Sequence, residues 1–125
     1  MAVTHSTAAR DAAANAVVDL LDAGTPPGFL DFLTSADALV AQITLSTTAF
    51  GASSSGVATL AGVPLTSAGA TAGTIAKAEF TNAAGTAVIL CAVATSGSDI
   101  NIPGGLTLAT NDTVTVTALT YTAPA

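Results

Sequence analysis

The chain has 125 residues, with two basic and eight acidic side chains, a formal charge of -6 and 50% hydrophobic residues, so it is one small domain and too short for two. Ala fills 29 positions and Thr 21, against four Phe, one Tyr and no Trp, so stability has to come from many small contacts and backbone pairing rather than from a few large anchors. Arg10 and Lys77 are the whole supply of basic side chains, which argues against nucleic acid and against an anionic membrane surface as partners, since both are held by clustered Lys and Arg.

Residues 1–5 read as an N-terminal arm. Ser6 is placed to cap a helix running to Gly24, with Pro26 and Pro27 beyond it as a stop. Its apolar face is expected to hold Ala13, Val17, Leu20 and Leu21, with Ala9 and Ala16 beside them, while Asp11, Asn15, Asp19 and Asp22 fall mainly elsewhere. Asp19 and Asp22 lie near the helix C-terminus, where the macrodipole disfavours negative charge, and this misfit points to a partner group there. The opening residues lack the basic-then-apolar order of an export signal and Cys91 is the only cysteine, so a reducing cytoplasm is the expected site of synthesis. No run reaches the roughly 18 apolar residues that a membrane span needs.

From residue 28 the hydrophobic period changes to 2, with turn residues at the spacing of an all-β sandwich. The expected fold is mainly β: an antiparallel β-sandwich over residues 28–122, jelly-roll or immunoglobulin-like, with one N-terminal amphipathic helix (6–24) packed on it. Strands 28–33 and 38–46 form a hairpin across 34–37, with Leu39, Ala41, Ile43 and Leu45 alternating against Val40, Gln42 and Thr44. The Ser- and Gly-rich stretch 47–56 reads as a flexible loop, followed by a strand over 57–60 and an irregular stretch over 61–73. Recognition is expected in these two loops.

The strongest hairpin signal joins 74–81 to 86–95 through Asn82, Ala83, Ala84 and Gly85, a type I turn followed by a glycine able to take positive φ. In its first strand Ala76, Ala78 and Phe80 point one way, and Ile75, Lys77 and Glu79 the other, exposed way. Its second strand is almost continuously apolar from 87 to 94, which reads as a central strand covered on both sides, by the helix or by another subunit. A polar connection with Pro103 (96–105) and a short strand (106–109) lead through a turn at Thr110, Asn111 and Asp112 into a last strand, 113–122. There Val114 and Val116 share a face, and the opposite phase of Leu119 and Tyr121 calls for a bulge near Thr117 and Ala118, the favoured reading, or for packing of the last residues against something else.

No catalytic constellation is legible. His5 is the only imidazole and stands in the arm, so neither a triad nor a Cys-His dyad is assembled. Residues 51–56 lack the glycine spacing of a nucleophile elbow, and Cys91, in the most apolar strand, reads as a small buried hydrophobe. Zinc is excluded by ligand count. Asp99 with Asn101, or Asn111 with Asp112, fall short of the roughly six oxygens calcium takes and read as turn formers. Glu79 is the only glutamate, and no carboxylate pair for glycoside hydrolysis emerges. The expectation is a protein that is not an enzyme, with no cofactor, no metal site and no catalytic residue.

Met1-Ala2-Val3-Thr4-His5-Ser6-Thr7 with Arg10, the helix end Val17-Val18-Asp19, the module Thr95-Ser96-Gly97-Ser98-Asp99-Ile100-Asn101, and Asp112-Thr113-Val114 with Leu119-Thr120-Tyr121-Thr122 resemble small virion proteins of tailed bacteriophages, over most of the chain. Within such virions the chain is most similar to head decoration, or cement, proteins. The resemblance implies a homo-oligomer bound to the major capsid protein on the capsid exterior, stabilising the expanded shell. It carries over no binding residue, because the matching segments are turns and strands that maintain a fold.

The residues themselves offer two docking segments: the N-terminal segment, residues 1–10, with Val3, Thr4 and His5, and a strand bearing Phe29, Leu30, Phe32 and Leu33, where alternation is imperfect. A frayed terminus and ordinary core are the other readings of these segments. A tail or neck component of the same virion, and a lectin-like or immunoglobulin-like module holding a host-surface ligand in its loops, are the alternative functions; for the latter, Tyr121 is the only aromatic with a polar handle. So few cations also predict attachment that depends little on salt, unless the acidic helix meets a basic capsid patch.

Overall fold

In the computed structural model, which describes residues 3–24, 27–102, 104–116 and 119–123, the Ser6 hydroxyl accepts the Ala9 N–H at 3.2 Å and opens α1 (Thr7–Asp19). The helix tightens into a 3₁₀ turn over Leu20–Asp22 and ends before Gly24. Among the described residues the chain then forms β1 (Phe29–Leu33), β2 (Leu39–Thr44), β3 (Val57–Thr59), β4 (Leu65–Thr66), β5 (Gly73–Thr74), β6 (Lys77–Thr81), β7 (Ala87–Ala94), β8 (Ile100–Asn101), β9 (Thr107–Leu108), β10 (Thr115–Val116) and β11 (Thr120–Thr122). The fold is mainly β with an N-terminal helix, as the change of period predicts.

β1, β2, β6, β7 and β8 make one sheet in the order β2-β1-β6-β7-β8, and the others pair as ribbons β4–β10, β3–β11 and β5–β9. Every pairing is antiparallel except β7 with β8. Two of the ribbons are clipped across by threonines: Thr66 Oγ1 lies 3.0 Å from Thr115 Oγ1, and Thr74 Oγ1 lies 3.0 Å from Thr107 Oγ1. Such cross-strand hydroxyl pairs give the abundant threonine a structural use. The sheet and the ribbons share one buried cluster, with Leu30, Phe32, Ile43 and Phe80 from the sheet and Ala58, Leu60, Val114 and Val116 from the ribbons.

Both expected hairpins form. At the β6–β7 turn Asn82 Oδ1 accepts the N–H of Ala84 and of Thr86, each at 3.0 Å, and Gly85 takes φ +85°, a backbone region that a side chain resists. At the β1–β2 turn Thr34 Oγ1 accepts the Ala36 and Ala38 N–H groups, and Lys77 pairs with Asp37. The expected alternation of β2 fails at its start. The register steps from Phe32↔Ala41 to Leu33↔Leu39, so Val40 is the extra residue of a bulge; Val40 and Ala41 are both buried and Leu39 is exposed.

The expected strand over 74–81 is likewise broken. Ile75 donates to the Leu106 carbonyl and Ala76 to that of Leu33, so the chain changes partners there and Ile75 turns inward, correcting its placement on the exposed face. The last strand is divided between two ribbons, with Val114 and Val116 buried as expected; the bulge expected at Thr117 and Ala118 lies outside the described residues.

The helix face needs a larger correction. Ala14, Val18 and Leu21 are buried, whereas Ala9, Ala13 and Ala16 are exposed and Leu20 is 53% exposed. The face is rotated by one residue because three polar side chains on it are hydrogen-bond acceptors. Asp11 Oδ1 accepts the Gly56 N–H at 2.7 Å, Asn15 Oδ1 the Ser53 N–H at 2.9 Å, and Asp22 Oδ1 the Ala49 N–H at 2.9 Å. Positions 11, 14, 15, 18, 21 and 22 form one helical stripe, half apolar and half acceptor. The unfavourable position of Asp22 is thus offset within the chain. The stretch 47–56, read as a flexible loop, is pinned along its length to α1.

Thr81 is 1% exposed and its hydroxyl has no hydrogen-bond partner among the described residues. Valine keeps the shape and removes the buried hydroxyl, so Thr81→Val is expected to stabilise the protein by about 1 kcal/mol, read as a shift in the urea unfolding midpoint at unchanged slope.

Candidate functional site

The structure places the two expected docking segments very differently. Val3, Thr4 and His5 are exposed ahead of the Ser6 cap, Val3 at 84%. β1 is the correction: both its edges are paired, to β2 and β6, Leu30 and Phe32 are 0% exposed and Leu33 is buried. Of the four apolar side chains only Phe29 is half-buried. The imperfect alternation there reflects a strand inside the sheet, whose side chains build the core rather than present a surface.

A further surface lies on β7, whose apolar run leaves coverage by the helix or by another subunit as the two alternatives. β8 pairs only with Val93 and Ala94, so residues 87–92 form an open edge among the described residues. Ala92 sits opposite Lys77 of β6, but its N–H turns away and donates to Asp99 Oδ2 at 3.0 Å. By the two-residue period of a strand the N–H and C=O of Leu90 point the same way. The Leu90 side chain is 75% exposed. A continuous apolar run was the available signal, and it has the same appearance in a strand covered by its own chain and in one left for another molecule. The helix does not resolve it, since α1 packs against β3 and β11.

Beside this edge is a cleft of about 340 Å³ between β7 and β11. Its floor is Phe80 and Phe50, in edge-to-face contact with centroids 5.6 Å apart; Ile89, Cys91 and Tyr121 wall it, and Asp99 stands at one side. Burial, and secondarily the charge of Asp99, push the Cys91 thiol up from 9.0 to about 11. It is therefore protonated at neutral pH and a weak nucleophile. The cleft offers shape, apolar surface and one carboxylate.

That shift has a direct readout. At pH 8 the native thiol is expected to react with iodoacetamide about 100-fold more slowly than in urea-unfolded protein, the rate rising toward pH 11 instead of pH 9, because only the thiolate attacks. Equal native and unfolded rates would remove the burial assigned to Cys91.

The oxygens considered for calcium are engaged in local hydrogen bonds. Asp99 holds Ala92, Asn101 Oδ1 accepts the Ser98 N–H, and Asp112 Oδ2 accepts the Ala109 N–H. Among the described residues no three of His, Cys, Asp and Glu come together as a metal would require, and no helix is long and apolar enough to cross a membrane. No family model, curated protein or solved structure matches the chain.

Proposed function

We propose that this chain is a structural protein of a tailed-phage virion: a head decoration, or cement, protein, made in the host cytoplasm, that binds the major capsid protein on the outer capsid surface and stabilises the expanded shell as a homo-oligomer. The observation that carries this reading beyond the sequence resemblance is the open apolar edge of β7. A long apolar edge strand is a liability in a free protein and is ordinarily paired, covered or charged; in an assembly protein it is contact surface. Burying a side chain such as Leu90 contributes about 1.5–3 kcal/mol, and repetition over a shell makes modest single contacts sufficient.

The finer architecture belongs to the same proposal. It is a β-sandwich in which the five-stranded sheet is one layer and ribbons β3–β11 and β4–β10 the other. Supporting it, Ala58, Leu60, Val114 and Val116 bury into the same cluster as the sheet's Leu30, Phe32 and Phe80.

The test is cosedimentation of the purified protein with undecorated expanded capsids, unexpanded procapsids and isolated tails. Saturable binding to expanded heads at a fixed copy number is expected. Binding to tails alone would replace the reading with a tail component, and binding to no particle would overturn it in favour of a free ligand-binding module.

A further inference from the structure

We infer that the open edge of β7 takes an extended segment of its partner as an added strand, one whose alternate residues are apolar, entering the β7–β11 cleft, and basic, lying over Leu90. The inference deepens the reading above: on that reading the segment belongs to the capsid subunit. It rests on direction, side-chain parity and charge.

Direction comes from Ala92 and Asp99. The Ala92 N–H, which a neighbouring strand would receive, is received by the Asp99 carboxylate at 3.0 Å, and beyond it toward residue 87 nothing among the described residues pairs with β7 on that side. The Leu90 amide and carbonyl are thus oriented for a strand that the chain does not itself supply, which is the geometry of strand addition.

Parity comes from the registers. Asp31 is opposite Glu79, and Glu79 is opposite Leu90, so these three side chains make one row on one face of the sheet. By strand alternation Ile89 and Cys91 point to the other face, toward the cleft over Phe80, whose lining also takes in Leu90. A strand added beside Leu90 therefore alternates between the cleft and the row. The cleft, about 340 Å³ with an aromatic floor, suits an apolar side chain. Beyond Leu90 the row continues through two half-buried carboxylates, Glu79 and Asp31, to Gln42, whose Nε2 donates to Asp31 Oδ1 at 2.9 Å, so Glu79 is the carboxylate next to the edge.

Charge then selects what lies over the row. Directly opposed like charges are mutually unfavourable, and the basic residues of the chain are engaged elsewhere: Lys77 with Asp37, and Arg10 packed against Gly56. The net charge is -6, and among the described residues neither Lys77 nor Arg10 forms an ion pair with Asp31 or Glu79. A Lys or Arg in the added strand lays its aliphatic stem on Leu90 and directs its charge toward Glu79. An acidic or neutral segment does not.

The probe is a synthetic peptide as long as residues 87–92, alternating valine and lysine, compared with one alternating valine and glutamate. Two readouts are taken on the full-length protein: alkylation of Cys91 and hydrogen exchange of the Leu90 amide. The valine–lysine peptide is expected to slow alkylation about tenfold at saturation and to protect the Leu90 amide; the valine–glutamate peptide is expected to do neither. Leu90→Lys, at a side chain that is 75% exposed, keeps the fold and should abolish the protection.

No protection by the valine–lysine peptide, or equal protection by both, overturns the inference. The particle assay separates it from the function. If wild-type protein binds expanded heads while Leu90→Lys binds equally well and Cys91 reacts at the free rate on the particle, strand addition fails and the decoration reading stands. If the peptide protects but no particle binds, the strand site stands and the decoration reading fails.

Discussion

Gly28→Ala is expected to lower the thermal midpoint by about 10 °C, a loss of about 3 kcal/mol for a domain of this size. The residue lies where three elements meet. Its carbonyl accepts the Leu45 N–H at 3.0 Å, and a Cβ added to it would stand 2.9 Å from the Leu21 carbonyl oxygen and closer still to that of Thr81. Both obstacles are backbone, fixed by the helix end and by β6, so no side-chain rotation relieves them. Alanine's entropic advantage in the unfolded chain, about 0.4–1 kcal/mol, offsets only part of this. Calorimetry of the variant is the check; a midpoint within a degree or two of wild type would mean that the helix end and β6 do not converge on Gly28 as described.

Asp11→Ala is expected to cost about 2 kcal/mol, the range for hydrogen bonds to a charged group whose loss strands a buried donor. Asp11 Oδ1 accepts the Gly56 N–H at 2.7 Å and the Ser53 hydroxyl at 3.2 Å, and Gly56 is buried, so water does not simply replace the carboxylate. Alanine's better helix propensity returns a few tenths of a kcal/mol. The effect has a location as well as a size: amide exchange should accelerate at Ser53 and Gly56 while the β6–β7 amides change only with global stability. A uniform change would show that α1 does not hold the 47–56 stretch.

Hydrogen-bond chemistry that is local in sequence was legible. Ser6 as a cap, Asn82 and Gly85 as a turn, and the hairpins they close are settled by residues within a few positions of one another. What was not legible depends on partners far along the chain. In an Ala-rich helix the apolar stripe is faint, and Asp11, Asn15 and Asp22, which look like a solvent face, are drawn inward by the Gly56, Ser53 and Ala49 amides. The Val40 bulge and the change of partner at Ile75 likewise follow from contacts with Thr71 and Leu106.

The candidate site shows the same division. That β7 is unusually apolar was plain; that its edge is open over 87–92 follows from β8, which runs parallel to it, beginning only at Ile100 opposite Val93, a starting point that composition does not encode. β1 was the converse case: Leu30 and Phe32 looked available for an interface because their strand is apolar with imperfect alternation, and they are interior because β2 and β6 flank it on both sides.

Cementing is more than binding, and heat tests it. DNA-filled expanded shells without decoration are warmed with and without saturating protein, and the temperature of DNA release is read by dye fluorescence. Adhesion across capsid subunits predicts that release moves to higher temperature in proportion to occupancy and then levels off once the sites are filled. Release at the bare-shell temperature with every site occupied would contradict it, leaving a protein that rides on the virion without reinforcing it.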